Sequence, residues 1–184
     1  MIRVATEKDY PVLVDVWEQS VRATHHFLPE DYLQEIKLML PAIFPSVPIY
    51  VYEDEAKQLL GFTGVADGKI EMLFLHPDAR GKGLGKILLH YSMHILGAYE
   101  LDVNEQNEQA VGFYQHMGFD VIERKETDGL GRPFPLLSMT SQSTSAFLCR
   151  LSSITCCCSS SSNRLRNEVF FFGLFCVKEV CDFT

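Results

Sequence analysis

The amino-acid sequence predicts an α/β domain of the α+β kind, in which helices flank a mixed, mostly antiparallel β-sheet. Apolar runs at 48–54, 58–67 and 69–77 are separated only by short turns, which predicts an antiparallel meander. From residue 69 onward strand and helix patterns alternate, which permits one parallel strand pair within the sheet. The chain has 184 residues, 47% of them hydrophobic, which suits one domain with an extension.

The N-terminal segment predicts one strand and two helices. Residues 1–6 alternate apolar and polar side chains, as in a half-buried strand. Thr6, with Asp9 three residues later, is typical of a helix start, and apolar residues then recur at helical spacing to about Thr24. A second helix is predicted from Glu30 to about residue 44, kinked or ended by its proline at position 41.

The C-terminal half of the domain predicts the alternating part of the fold. The strand at 69–77 leads through a glycine-rich loop into a helix from Gly83 to about residue 96. A strand at 98–103 and a helix from Asn107, closed by Gly118, come next. Two further strands, at 119–126 and 134–140, are joined by a loop rich in glycine and proline.

Composition changes sharply near residue 140. All six cysteines and nine of the 13 serines lie in 141–184, whereas residues 1–140 carry 12 Lys and Arg against 21 Asp and Glu. We therefore predict a domain at 1–140 and a tail at 141–184 that is not part of the fold. The tail has no paired C-x-x-C spacing for zinc. Its composition resembles translation of an unrelated reading frame, a hypothesis that sequencing the gene across codon 140 tests.

The same composition argues against several classes of partner. A net charge of −8 disfavours a broad nucleic-acid footprint, and no window approaches the roughly 20 apolar residues of a membrane span. The N-terminus has no signal-peptide pattern, and a cysteine-free domain suits a reducing compartment. We expect a cytoplasmic protein, monomeric or homodimeric, without nucleic-acid or membrane partners.

A glycine-rich loop with basic residues precedes the helix that begins at Gly83. It reads RGKGLGK over residues 80–86. A helix N-terminus exposes backbone N–H groups and carries partial positive charge, so it binds anions, and glycine permits close backbone approach. The loop therefore predicts a phosphate or pyrophosphate ligand, the alternative being a glycine-rich turn without one. It matches neither the P-loop nor the Rossmann pattern.

Two motifs together resemble those of the GNAT superfamily of N-acetyltransferases. Residues 80–85 match its R-x-x-G-x-G acetyl-CoA loop, and residues 107–119 match N-x-x-A-x-x-F-Y-x-x-x-G-F in the expected order. The segments SVRATHHFL at 20–28, residues 103–114 and DGLGRPFPLL at 128–137 resemble the YjaB-type group of small bacterial GNAT acetyltransferases. The resemblance covers residues 1 to about 140.

The resemblance implies an acetyl-CoA site where two parallel strands, 69–76 and 99–103, splay apart. The pantetheine arm would pair with the backbone of the first strand, an N–H near Leu75 would polarise the thioester carbonyl, and the pyrophosphate would rest on loop amides. The implied cofactor-binding residues are Leu73, Phe74, Leu75, Arg80, Gly81, Lys82, Gly83, Leu84, Gly85, Lys86, Asn107 and Tyr114. Asn107 can also cap its helix, and no metal-ligand spacing is present.

The resemblance also implies catalytic candidates. Tyr114 matches a tyrosine that faces the thioester sulfur and can protonate the leaving thiolate, although it can also simply pack in the core. Glu71 is the expected general base, placed on the face of Leu73 by two-residue alternation. His25 and His26 follow the first helix and are expected to contact substrate; either can accept the proton, or both are solvated loop histidines.

The predicted activity is acetyl transfer from acetyl-CoA to a primary amine of a small molecule or a protein. Direct attack, without an acyl-enzyme, agrees with the lack of cysteine in residues 1–140. The acceptor stays open. One alternative is an acetyl-CoA-binding or sensing module with little turnover; another is acetylation of aminoacyl-tRNA, which the acidic charge disfavours.

Overall fold

The computed structural model describes residues 1–141, which form a seven-stranded mixed sheet with helices on both faces. The strands are β1 (Ile2–Val4), β2 (Ile49–Glu53), β3 (Leu59–Ala66), β4 (Lys69–Leu75), β5 (Glu100–Asn104), β6 (Phe119–Lys125) and β7 (Leu136–Ser141). The helices are α1 (Tyr10–Thr24), α2 (Glu30–Ile43), α3 (Leu84–His94) and α4 (Glu108–His116). Short 3-10 turns precede α1 and follow α2 and β4.

The sheet has the strand order β1-β2-β3-β4-β5-β7-β6. Among the strands of residues 1–141, only β4 and β5 run parallel, and every other neighbouring pair is antiparallel. The predicted fold class is therefore confirmed, and so is each predicted helix and strand of the domain. The helix α2 continues through Pro41 and ends two residues later. The last strand includes Ser141, and the predictions for the rest of the tail lie outside the described residues.

Two apolar clusters, one on each face of the sheet, hold the fold together. On one face α1 and α2 pack with Trp17 against Phe62 and Phe74. On the other face α3 and α4 pack against a cluster that includes Leu73 and Leu75. Burying one such side chain contributes roughly 1.5–3 kcal/mol. The helices cover the sheet because their apolar residues recur on one side, as the sequence pattern predicts.

Candidate active site

The two parallel central strands part soon after they begin. Among the described residues, β4 pairs with β5 only at Lys69 with Glu100 and at Ile70 with Leu101. Both strands continue for several residues beyond this point. The parallel ladder thus ends at Ile70 and Leu101, and we call the separation of the two strands beyond it, along residues 71–75 and the end of β5, the β4–β5 gap. Ligands of parallel sheets bind at this carboxyl end of the strands.

The backbone of β4 presents alternate residues to the β4–β5 gap. On its other side β4 pairs with β3, and the His76 N–H donates to the Leu60 carbonyl oxygen at 2.8 Å. Successive residues of a paired strand direct their backbone groups to opposite sides. Phe74 therefore faces β3, whereas the amides and carbonyls of Leu73 and Leu75 face the gap. This corrects the prediction for Phe74, whose backbone is used by β3.

A β-bulge interrupts the alternation of β4 at Glu71. The register with β3 shifts by one residue here, and as a result Ile70 packs in the same cluster as Leu73. The argument that placed Glu71 on the face of Leu73 was therefore wrong. Glu71 is 6% exposed, and its carboxylate lies 4.0 Å from the Lys69 ammonium.

The loop after β4 has the backbone geometry of an anion site. Gly81 and Gly83 have φ angles of 68° and 76°, which residues with a Cβ rarely adopt. Gly83 is the N-cap of α3, and the Ile87 N–H donates to its oxygen at 3.1 Å. The amides of residues 84–86 precede this first helical hydrogen bond, so the ladder of α3 does not use them.

The side chains of this loop divide into an anchored set and a solvated set. Leu84 and Gly85 are buried, and the Leu84 side chain packs the start of α3 against the core. Lys82 and Lys86 are exposed, and Arg80 is half-buried. The loop and the first turn of α3 thus carry three cationic side chains, in a domain that is otherwise acidic.

His25 meets Asn107 across the other side of the site. The Asn107 side-chain oxygen accepts from the Ala110 N–H at 3.2 Å and caps α4, which turns its amide nitrogen toward His25 Nε2 at 3.4 Å. His25 Nδ1 lies 2.8 Å from Thr24 Oγ1, whose hydroxyl donates to the Ser20 carbonyl at 3.2 Å. This pattern assigns the proton to Nδ1 and the lone pair to Nε2, where Asn107 uses it.

The environment of His25 argues against its predicted role as a proton acceptor. Burial lowers the pKa of its imidazole to about 3, and the nearby charge of Arg80 contributes to the shift. A neutral ring with both nitrogens engaged instead links the end of α1 to the cap of α4. This corrects the expectation that His25 is a base. His26 is exposed and stays a candidate for substrate contact.

Tyr114 is fully buried on α4. Its ring packs edge-on against Phe113, with centroids 5.2 Å apart, and against Phe119 at 5.7 Å. It belongs to the same cluster as Leu73 and Leu75, the two residues whose backbones face the β4–β5 gap. Tyr114 can therefore pack in the core and still lie close to the β4–β5 gap.

A loop between β6 and β7 docks on α2 through residues that the sequence analysis did not single out. The Tyr32 hydroxyl donates to Asp128, its ring stacks on Phe134 at 5.2 Å, and the Arg132 guanidinium lies over it at 5.1 Å. Burial, followed by the Asp128 hydrogen bond, raises the pKa of the Tyr32 phenol. Phe27 connects this cluster to His25, with ring centroids 5.2 Å apart.

The two remaining structural findings concern metals and membranes. Within residues 1–141 no group of three His, Cys, Asp or Glu side chains is arranged to hold a metal ion. No helix in that part of the chain has the length and apolar character needed to cross a bilayer.

Sequence comparisons match this chain to a known family. Residues 45–121 match the sequence model of the acetyltransferase (GNAT) domain. The chain is 39% identical over 138 residues to the peptidyl-lysine N-acetyltransferase YjaB of Escherichia coli, covering 75% of this chain and 94% of YjaB. It is 30% identical over 125 residues to the E. coli peptidyl-lysine N-acetyltransferase YiaC, covering 67% and 85%.

Solved structures give the same result. The solution structure of apo YjaB from E. coli has a TM-score of 0.72 and 38% identity, over 76% of this chain and 95% of that one. PaiA N-acetyltransferase from Thermoplasma acidophilum, solved with coenzyme A, shares the fold at 22% identity and a TM-score of 0.59, over 77% and 98% of the two chains.

The fold, the gap and these relatives define the class of the protein. The chain belongs to the GNAT acetyltransferases and transfers an acetyl group to an amine. Within that class it is similar to YjaB, as the sequence segments at 20–28 and 128–137 predict.

Proposed function

We propose that this protein transfers the acetyl group of acetyl-CoA to the side-chain amine of lysine residues in proteins. One observation carries the proposal: the part of β4 beyond its ladder with β5 leads through the glycine-rich loop to the N-terminus of α3, where backbone geometry suits an anion. Acetyl-CoA has a matching order of groups: a thioester and an amide-containing arm that can lie along the strand, and a pyrophosphate at the other end that can reach the helix N-terminus. The relatives YjaB and YiaC are named peptidyl-lysine N-acetyltransferases, which supports lysine as the acceptor.

The residues along the gap fit acetyl-CoA. The Leu73 and Leu75 backbones would pair with the amide groups of the pantetheine arm, as an added strand would. The amides of residues 84–86, together with Arg80 and Lys82, would hold the pyrophosphate. Asn107 is committed to its helix cap and to His25, so we place it as support for the gap.

Chemistry at the thioester requires an oxyanion donor and a proton for the leaving thiolate. Acetyl-CoA supplies an activated acyl group with a thiolate leaving group. A backbone N–H near Leu75 would stabilise negative charge on the carbonyl oxygen. The Tyr114 phenol would give a proton to the departing sulfur. The acceptor would attack the thioester directly, which agrees with the lack of a cysteine in residues 1–140 to carry an acyl group.

The acceptor ammonium must lose a proton before its lone pair can attack. Glu71 is our candidate for this step, because it is a buried carboxylate at the bulge beside the gap. We expect Glu71→Gln to lower kcat about 100-fold while acetyl-CoA affinity stays within about threefold. Glu123→Gln, an exposed change on β6, is the matched control and should leave both values unchanged.

The test of the proposed function is a pair of measurements on the full chain. Calorimetric titration with acetyl-CoA reports binding, and thiol release reports transfer to a panel of lysine peptides, free amino acids and polyamines. Binding with release by lysine peptides supports the proposal. Binding without release by any amine would favour the sensing module, and absence of binding would contradict the assigned site.

We also place the protein in the cytoplasm in this proposal. The support is compositional: the domain contains no cysteine, which suits a reducing compartment.

A further inference from the structure

A charged cluster crosses from β4 to β5 where these strands part. Lys69 Nζ lies 2.5 Å from Asp102 Oδ2 and 4.0 Å from Glu71 Oε1. Asp102 Oδ1 accepts a hydrogen bond from Ser138 Oγ at 2.6 Å and lies 3.6 Å from Lys125 Nζ. Both carboxylates are buried, whereas the Lys69 and Lys125 side chains are 24% and 42% exposed.

The position of this cluster in the sheet is specific. The last paired residues of the two strands are Ile70 and Leu101, so Asp102 is the first residue of β5 beyond the parallel ladder. Leu101 and Val103 pack in the cluster under α3 and α4, so the Asp102 side chain extends on the other face of the sheet. The Lys69–Asp102 ion pair thus joins β4 to β5 at the narrow end of the gap.

We propose that Lys69 and Asp102 form a strand clamp that fixes where β4 and β5 separate, and that Lys69 is a positioning residue for acetyl-CoA. This inference rests on the proposed function, because it concerns the same gap. A buried carboxylate strongly favours a fixed cationic partner. Asp102 therefore holds the Lys69 ammonium at one place, and the two strands are joined there by side chains where backbone pairing ends.

The clamp acts through geometry. If the ion pair is lost, the first residues of the gap can close by backbone pairing or spread apart. Either change moves the Leu73 backbone relative to β5. Groups that bind along the gap require a fixed width, so misplacement weakens binding of the pantetheine arm without removing any of its contacts.

Lys125 provides a matched control for charge. It approaches the same Asp102 carboxylate, but it belongs to β6, which is separated from β5 by β7 and does not border the gap. Loss of either lysine removes one positive charge near Asp102, but loss of Lys69 also removes an ion pair between β4 and β5.

The experiment is calorimetric titration of the full chain and its variants with acetyl-CoA, with thermal unfolding as a check of folding. We expect Lys69→Met to weaken acetyl-CoA affinity about tenfold and to raise KM for acetyl-CoA, with KM for the amine within about threefold. Lys69→Arg should restore affinity to within about threefold of wild type, and Lys125→Met should stay within about twofold. Asp102→Asn should match Lys69→Met, and the double variant should bind no more weakly than either single one.

The outcomes separate this inference from the proposed function. Equal affinities for Lys69→Met and Lys125→Met, or additive losses in the double variant, would overturn the clamp while wild-type binding upholds the acetyl-CoA site. If wild type does not bind acetyl-CoA, both proposals are overturned. If Lys69→Met does not fold, Asp102→Asn, which keeps the side-chain shape, decides: a tenfold loss supports the clamp and unchanged affinity overturns it.

Discussion

The two edges of β4 differ in how much of their length pairs with a neighbouring strand. Toward β3 the strand is paired along its length, from Lys69 opposite Ala66 to Leu75 opposite Gly61. Toward β5, in the part of the chain that the structure describes, its ladder covers only its first two residues. We call the edge that pairs with β3 the closed edge. We call the other the open edge, because its backbone donors and acceptors at Leu73 and Leu75 face the β4–β5 gap. Substitutions at the closed edge should affect stability, whereas those around the open edge should affect binding and turnover.

The largest expected effect is at the closed edge, at Gly61. A Cβ at this position would lie 2.8 Å from the Phe74 carbonyl oxygen and 2.5 Å from Leu75 Cδ2, which is closer than real Cβ atoms approach. We expect Gly61→Val to lower the free energy of unfolding by about 3 kcal/mol, measured by urea denaturation. An unchanged urea midpoint would show that β3 and β4 are not packed this closely.

Gly112 is the matched control for Gly61→Val. It lies within α4, and a Cβ there would meet no atom within 4 Å. Gly112→Ala should therefore leave stability unchanged or raise it by up to about 1 kcal/mol, because alanine favours helix.

The next effect concerns the open edge, at Tyr114. We expect Tyr114→Phe to lower kcat about 100-fold, because the phenol that protonates the thiolate is lost. Acetyl-CoA affinity and the unfolding midpoint should change little, because the ring and its packing against Phe113 and Phe119 remain. A wild-type kcat in the thiol-release assay would reduce Tyr114 to a packing role.

A third effect concerns His25, away from both edges of β4, and depends on pH. The pKa of His25 is about 3 in the folded protein, against about 6.5 in the unfolded chain. Below pH 6.5 the unfolded chain binds a proton that the folded protein excludes, so stability falls as pH falls toward 3. We expect His25 to account for a loss of about 2 kcal/mol between pH 7 and pH 5.

Urea denaturation at the two pH values measures this loss. His25→Gln should be less stable at pH 7 but should lose less stability on acidification than wild type. His26→Gln changes an exposed neighbour and should keep the wild-type pH dependence. An equal loss in His25→Gln and wild type would contradict the buried, neutral imidazole.

The smallest effect lies away from both edges, at the loop that docks on α2. Arg132 is exposed, and it pairs with Glu35 at 2.9 Å and lies over the Tyr32 ring. We expect Arg132→Gln to cost about 0.5 kcal/mol of unfolding free energy, because exposed ion pairs contribute little. A loss above 2 kcal/mol in urea denaturation would show that this loop is a main support of the fold.

The fold was predictable from the sequence because its signals are local. Period-two and period-3.6 patterns identify each element, and the glycines at 81 and 83 mark a loop that needs positive φ. The bulge at Glu71 was not predictable, because nothing in the pattern of residues 69–75 distinguishes a bulged strand from a regular one. Its consequence was a wrong face for Glu71. The error for Phe74 has a separate cause: backbone groups alternate between the two sides of a strand, and those of Phe74 face β3.

Contacts between residues far apart in the sequence also could not be predicted from local patterns. The contact between His25 and Asn107 joins residues 82 positions apart, and the pair of Lys69 with Asp102 joins residues 33 apart. The sequence did contain one signal for the pair of Lys69 with Asp102. In a central strand, Asp102 and Asn104 alternate with Leu101 and Val103, so one face of β5 is polar. Polar side chains on a central strand indicate that this face of the strand borders a cleft, since a face packed in the core would be apolar.

The most direct test of the account is a backbone amide NMR titration of the protein with acetyl-CoA. Assigned amides of Leu73, Leu75 and residues 84–86 should show the largest shifts, because they face the ligand. The amides of Phe62 and Phe74, which pair with each other across the closed edge, should shift far less. Shifts confined to Phe62 and Phe74, or concentrated away from β4 and the start of α3, would contradict the assignment of the open edge as the acetyl-CoA site.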